Sequence, residues 1–134
     1  MLRILLLGSN PSTSSPNNGA FDYSTKSGRT LATWIAKVGC HHCVLMNVSA
    51  VPTTNNKPLT VRDIKANLGR LAHDIGLVSP DKIVAVGKTA VKALTLLGLT
   101  HFELPHPSGC NRLLNNPDYI DEKIKKLQSY LELP

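Results

Sequence analysis

Carboxylates are scarce in this sequence and unevenly spread. Against 15 Lys and Arg there are 9 Asp and Glu, a formal net charge of +6. Between Tyr23 and Arg62 there is no acidic side chain, while Lys26, Arg29, Lys37, Lys57 and Arg62 fall in that stretch. The balance suits a polyanionic partner such as nucleic acid. Within the acid-free stretch the alternatives are a solvated face and a positive rim that would favour a phosphate backbone. Cysteine is also scarce: three cannot pair completely, which argues against a secreted disulfide scaffold and for a reducing, cytoplasmic setting. Nothing approaches the roughly 18 consecutive apolar residues of a membrane span, so no membrane partner is expected. The opening MLRILLLGSN is too short for a signal peptide, and its apolar run reads as a buried strand. Internal repeats, low-complexity tracts and linkers are missing too. One domain over residues 1–134 is expected, with 42% hydrophobic residues to build its core. No feature points to an oligomer interface, and a monomer is expected.

What is present is an alternation. Short apolar runs at Leu2 to Leu7, Cys43 to Val48, Ile83 to Val86 and His101 to Leu104 read as strands. Between them Leu31, Trp34, Ile35 and Val38 fall at helical spacing, with Ser27 or Thr25 as N-cap and Gly39 as stop. Val61, Ile64, Leu68, Leu71 and Ile75 line one face of a second helix, opened by Thr60 and Asp63 as a capping box. A third helix runs from Lys88 to Leu97 and stops at Gly98. Asp118 is the expected cap of a fourth, with Ile120, Ile124, Leu127 and Leu131 on its apolar face. Strict alternation predicts an α/β fold, a three-layer α/β/α domain around a four-stranded parallel sheet with helices on both faces. Ligands of such folds bind beyond the carboxyl ends of the strands. There the sequence concentrates its Pro, Gly, Ser and Asn.

Four segments invite a chemical reading. GSNPSTSSP, from Gly8, follows the first strand and opens a loop longer than most, which is either functional or a solvated turn. PHPSGCNR, from Pro105, follows the fourth strand, and its two prolines hold His106 in an extended backbone. That histidine is either functional or simply exposed. Asn47 ends an apolar strand, where its amide can read a donor–acceptor edge or be satisfied by backbone. Lys88, in VGKT, opens a helix whose amides can hold a phosphate, but Lys82 stands where a phosphate-loop signature needs Gly, which argues against a nucleotide triphosphatase. Cys40, His41, His42 and Cys43 invite a zinc or redox reading. The pair follows a helix end rather than opening a helix, and four consecutive residues rarely reach tetrahedral directions, so no metal is expected.

Taken together, the two loops resemble the uracil-DNA glycosylase superfamily. Gly8-Ser9-Asn10-Pro11-Ser12 stands where that family carries Gly-Ile-Asn-Pro-Gly, Gly-Met-Asn-Pro-Gly or Gly-Gln-Asp-Pro-Tyr, and His106-Pro107-Ser108-Gly109 resembles its later His-Pro-Ser or Asn-Pro-Ser. Gly109-Cys110-Asn111-Arg112 is similar to the Gly-Leu-x-Arg of mismatch-specific members. Ser14-Ser15, Gly19-x-Phe21 and Trp34 resemble the same branch, and Asn47 matches a strand-two Asn of the classical and single-strand-selective branches. The resemblance runs through nearly the whole chain, in order.

It implies a monofunctional glycosylase that hydrolyses the N-glycosidic bond of uracil or a related base in single-stranded or mismatched DNA. Asn10 would orient water towards C1′, and His106 would hydrogen-bond O2 of the departing base. Phe21, or else Tyr23, would stack on the flipped base, Asn47 would read its O4 and N3 edge, and Gly8, Ser9, Pro11 and Ser12 would complete the pocket. Ser108, Gly109, Asn111 and Arg112 would meet the DNA, with Cys110 at the position of a wedge, and Lys88, from its place at a helix opening, is expected to add a phosphate contact. No cofactor is implied, and three cysteines exclude the iron–sulfur branch, which needs four ligands. Ser12 replaces a common Gly, and Cys110 is smaller than Leu. Two alternatives therefore stand beside the enzyme: a non-catalytic DNA-binding relative, and an N-glycosidase of free nucleosides or nucleotides.

Overall fold

A computed structural model of the chain describes residues 2–9, 26–38, 42–49, 59–105 and 116–132. Within them strands and helices alternate as β1 (Arg3–Gly8), α1 (Lys26–Val38), β2 (His42–Asn47), α2 (Val61–Val78), β3 (Lys82–Val86), α3 (Lys88–Leu97), β4 (Phe102–Leu104) and α4 (Pro117–Glu132). The described strands form one four-stranded sheet in the order β2-β1-β3-β4, every pair parallel. Parallel neighbours require a crossover, and here each crossover carries a helix. The expected α/β architecture is the one found.

Alternation along the strands divides the core in two. Ile4 and Leu6 of β1, with Val84, Val86 and Leu104, pack under Leu31 and Trp34 of α1 and Ile120, Ile124, Leu127 and Leu131 of α4. Leu5 and Leu7, with Ile83 and Ala85, pack under Ile64, Leu71 and Ile75 of α2 and Ala90, Ala93 and Leu94 of α3. Thus α1 and α4 cover one face and α2 and α3 the other. With both faces covered, the central strands read as continuous apolar runs. Among the described residues no helix is long and apolar enough to cross a membrane.

Helix ends follow local chemistry. Thr60 and Asp63 form the expected capping box: the Asp63 amide donates to the Thr60 hydroxyl at 3.2 Å and the Thr60 amide to the Asp63 carboxylate at 3.1 Å. Those Thr60 bonds, backbone first, with a smaller contribution from Arg62, hold the Asp63 carboxyl below its ordinary range. Since the pKa is depressed in the folded state, the stability it contributes is present above the unfolded carboxylate value and is lost as pH falls through the folded one. Thr60→Ala is expected to cost about 1 kcal/mol, measured by urea unfolding at neutral pH. Gly98 ends α3 in the left-handed region at φ 71, as its position predicts.

Three local expectations are corrected. Ser27 is the second residue of α1 and therefore not its N-cap; Thr25 and Gly39 lie outside the described residues. Val61 is 50% exposed, so the apolar face of α2 starts at Ile64, and the helix continues past Ile75 to Val78, where Ser79 turns left-handed. The cap of α4 is Asn116, whose Oδ1 accepts the Asp118 amide at 3.0 Å. Pro117 takes the first helical position, where a missing N–H costs nothing, and so moves the cap back two residues from Asp118.

Candidate functional site

The chain leaves β1 for β2 on one side and, through α2, returns to β3 on the other side of β1. The carboxyl ends of β1 and β3 thus flank the point where strand order reverses, the usual ligand crevice of open α/β sheets. Gly8 and Ser9 stand at one lip, Val86 and Gly87 at the other.

Gly8, the last residue of β1, is level with Asn47, the last of β2. The ladder continues beyond the strands: Val48 N–H donates to the Gly8 carbonyl and Ser49 N–H to the Ser9 carbonyl, each at 2.9 Å. Val44 and Met46 turn towards α2 and α3 while Cys43 turns towards α1 and α4. Period two therefore sends half-buried Asn47 to the α1/α4 side. Gly8 follows Ile4 and Leu6 on that same side. Register extends the row: Leu6 is level with Val84, and Val86 with Leu104. Along the carboxyl end of the sheet stand Asn47, Gly8, Val86 and Leu104, and the buried glycine is the position without a side chain between an amide and a buried valine.

The two segments singled out in the sequence each lead into a helix of this side: residues 9–25 run from β1 to α1, and residues 105–116 from β4 to α4. Both helices lie over this face, and they are tied together by Gln128 Nε2 donating to the Lys37 carbonyl at 3.0 Å and by an exposed Lys37–Asp121 pair at 3.9 Å. Asn10, Pro11, Ser12, Phe21, Tyr23, His106, Ser108, Gly109, Cys110, Asn111 and Arg112 lie outside the described residues. So do Cys40 and His41. Of the remaining Cys-His pair, His42 is exposed and Cys43 half-buried on β2. No group of three or more His, Cys, Asp or Glu among the described residues could hold a metal ion.

Lys88 is exposed at the same edge but opens α3, on the opposite side of the sheet from Asn47. Gly87 precedes it at φ 92 and ψ 168, a conformation that favours glycine. Arg62 and Lys65, exposed at the start of α2, share that side. The structure therefore separates Lys88 from the row around Asn47, placing it on the α2/α3 side of the sheet.

One residue of this edge escaped sequence reasoning. Arg70, on α2, donates from Nη2 to the Val48 carbonyl and from Nη1 to Asp74 Oδ2 at 2.7 Å. The Arg70–Asp74 spacing is visible as an i, i+4 pair. The reach to the carbonyl just after Asn47 is a tertiary contact that no local pattern announces.

A parallel sheet with two covered faces and a reversal of strand order beside Gly8 and Asn47 define an open α/β fold of the kind whose ligands bind at the carboxyl ends of the strands. The family model described as the uracil DNA glycosylase superfamily matches residues 1–128, and the chain belongs to that family. No curated protein matches the chain. Membership supports a glycosylase-type hydrolytic function with DNA as the partner.

Proposed function

We propose that this protein removes uracil or a related base from single-stranded or mismatched DNA, working as a cytoplasmic monomer. The observation that carries the reading is one of connectivity. Both motif-bearing segments connect to helices on the side of the sheet where Gly8 and Asn47 stand.

In this reading the target base leaves the stack, at a cost of a few kcal/mol that is least in single strands and mismatches. It enters the notch beside Gly8, where Asn47 reads O4 and N3 and Phe21, or Tyr23, stacks on the ring. Ser9, Pro11 and Ser12 shape the wall. The N1–C1′ bond breaks with its electron pair leaving on the base, and His106 donates a hydrogen bond to O2 as negative charge gathers there. Water held by Asn10 adds to C1′ and loses its proton, and the released base anion takes one up. A neutral amide is a poor base, so bond breaking runs ahead of water attack. Ser108, Gly109, Asn111 and Arg112 hold the backbone, Cys110 occupies the wedge position, and Lys88 meets a phosphate further along the strand.

Oligonucleotides carrying one uracil, single-stranded, opposite A and opposite G, test this directly. Alkali-labile cleavage is expected, strongest in the single strand and the G mismatch. Binding should weaken steeply with salt, as backbone neutralisation requires. Small Cys110 and the side chain at Ser12 favour a second reading, a DNA-binding relative without turnover. Uracil-selective binding with no cleavage at enzyme excess would establish that one instead. Turnover of free deoxyuridine without salt dependence would point to a nucleoside N-glycosidase.

A further inference from the structure

Among the described strands β2 lies at an edge of the sheet, with β1 as its one neighbour. Its register therefore rests on a single ladder, and a slip of one residue would turn Asn47 to the opposite face. Beyond Asn47 the backbone is held from two directions. On one side Val48 and Ser49 donate to Gly8 and Ser9 of the β1 exit. On the other, the Arg70 guanidinium reaches from α2 to the Val48 carbonyl, and Asp74 holds the guanidinium's second nitrogen. Val48 is fully buried and Ser49 nearly so. The Val48 peptide thus joins α2 to the end of β1, one residue from Asn47 on one strand and at Ser9, directly before Asn10, on the other.

We infer that Arg70, oriented by Asp74, is a positioning residue that fixes the exit of β2 and with it the direction of the Asn47 amide. A planar fork suits this task because it serves both acceptors at once in a fixed geometry, which a lysine ammonium cannot do as rigidly. Hydrogen bonds to an ionised donor are also the stronger kind. The inference rests on the proposed role of Asn47 for its functional consequence, while the clamp itself is a property of the backbone.

Two measurements on Arg70→Met, Arg70→Lys and Asp74→Asn separate these layers. Amide hydrogen exchange is expected to quicken at Val48 and Ser49 by about tenfold or more in Arg70→Met and less in Arg70→Lys and Asp74→Asn, with the β3 amides unaltered. Binding of uncleavable oligonucleotides carrying 2′-fluorouridine or 2′-fluorocytidine is expected to lose about 10- to 100-fold of its uracil preference in Arg70→Met, with cytosine binding unchanged. Partial rescue by lysine is expected. Unchanged exchange at Val48 and Ser49 would overturn the clamp. Faster exchange with full uracil preference would reduce Arg70 to a structural residue. A wild-type protein without uracil preference would refute the reading of Asn47, leaving the clamp to be decided by exchange alone.

Discussion

His106→Ala is expected to slow uracil release by about 10²- to 10³-fold in single-turnover assays, with little change in the concentration of DNA needed for half-maximal rate. The split follows from when the interaction forms. In the bound substrate O2 is a neutral carbonyl and a hydrogen bond to it is modest. As the glycosidic bond breaks, the oxygen gathers negative charge and the same bond strengthens, so its loss falls on the chemical step. Pro105 and Pro107 restrict the backbone on both sides of His106, which limits how far another donor could be repositioned to replace it. Asn10→Ala is expected to act on the same step by leaving the water unheld. The double variant should lose less than the product of the two single losses, because in the proposed mechanism both residues serve one transition state. A His106→Ala protein as fast as wild type would remove this histidine from the chemistry.

Local signals were legible in the sequence wherever one short-range rule decided the outcome. Thr60 and Asp63 at a spacing of three, Gly98 after an apolar helix, and Ile120, Ile124, Leu127 and Leu131 on one helical face all behave as read. Where two residues could fill one role, a second rule had to break the tie. Asn116 and Asp118 both suit an N-cap, and Pro117 between them settles it by occupying the first helical position. The central strands were legible as buried, but β2 is an edge strand of half-buried and exposed residues whose orientation was not legible: Cys43 to Met46 is apolar without alternation, so its pattern does not say which face Asn47 joins. Register against β1 decides that. The packing of α3 on the other face separates Lys88 from Asn47 although both stand at the carboxyl end of the sheet. Arg70 was opaque for a different reason, since its partner at Val48 is backbone and distant in sequence.

Gly8→Leu is expected to abolish excision, by at least about 100-fold, while the protein still folds. Gly8 belongs to the same strand face as Ile4 and Leu6, and in the row at the sheet edge it is the position without a side chain, between Asn47 and Val86. A leucine there projects towards the α1/α4 side, into the notch proposed for the base. Gly8 is already buried, so overpacking should also cost about 1–3 kcal/mol of stability. Gly8→Ala separates the two effects. One methyl group shortens the notch with less strain, and about a tenfold loss of excision is expected with thermal unfolding shifted by only a few degrees. Affinity for an oligonucleotide without uracil should persist in both variants, because in the proposed mechanism Gly8 lines the base pocket and takes no part in holding the DNA backbone. Wild-type excision by Gly8→Leu would place the base elsewhere. Loss of all DNA binding together with excision, in a protein that still melts cooperatively, would show that Gly8 serves the whole edge rather than the notch.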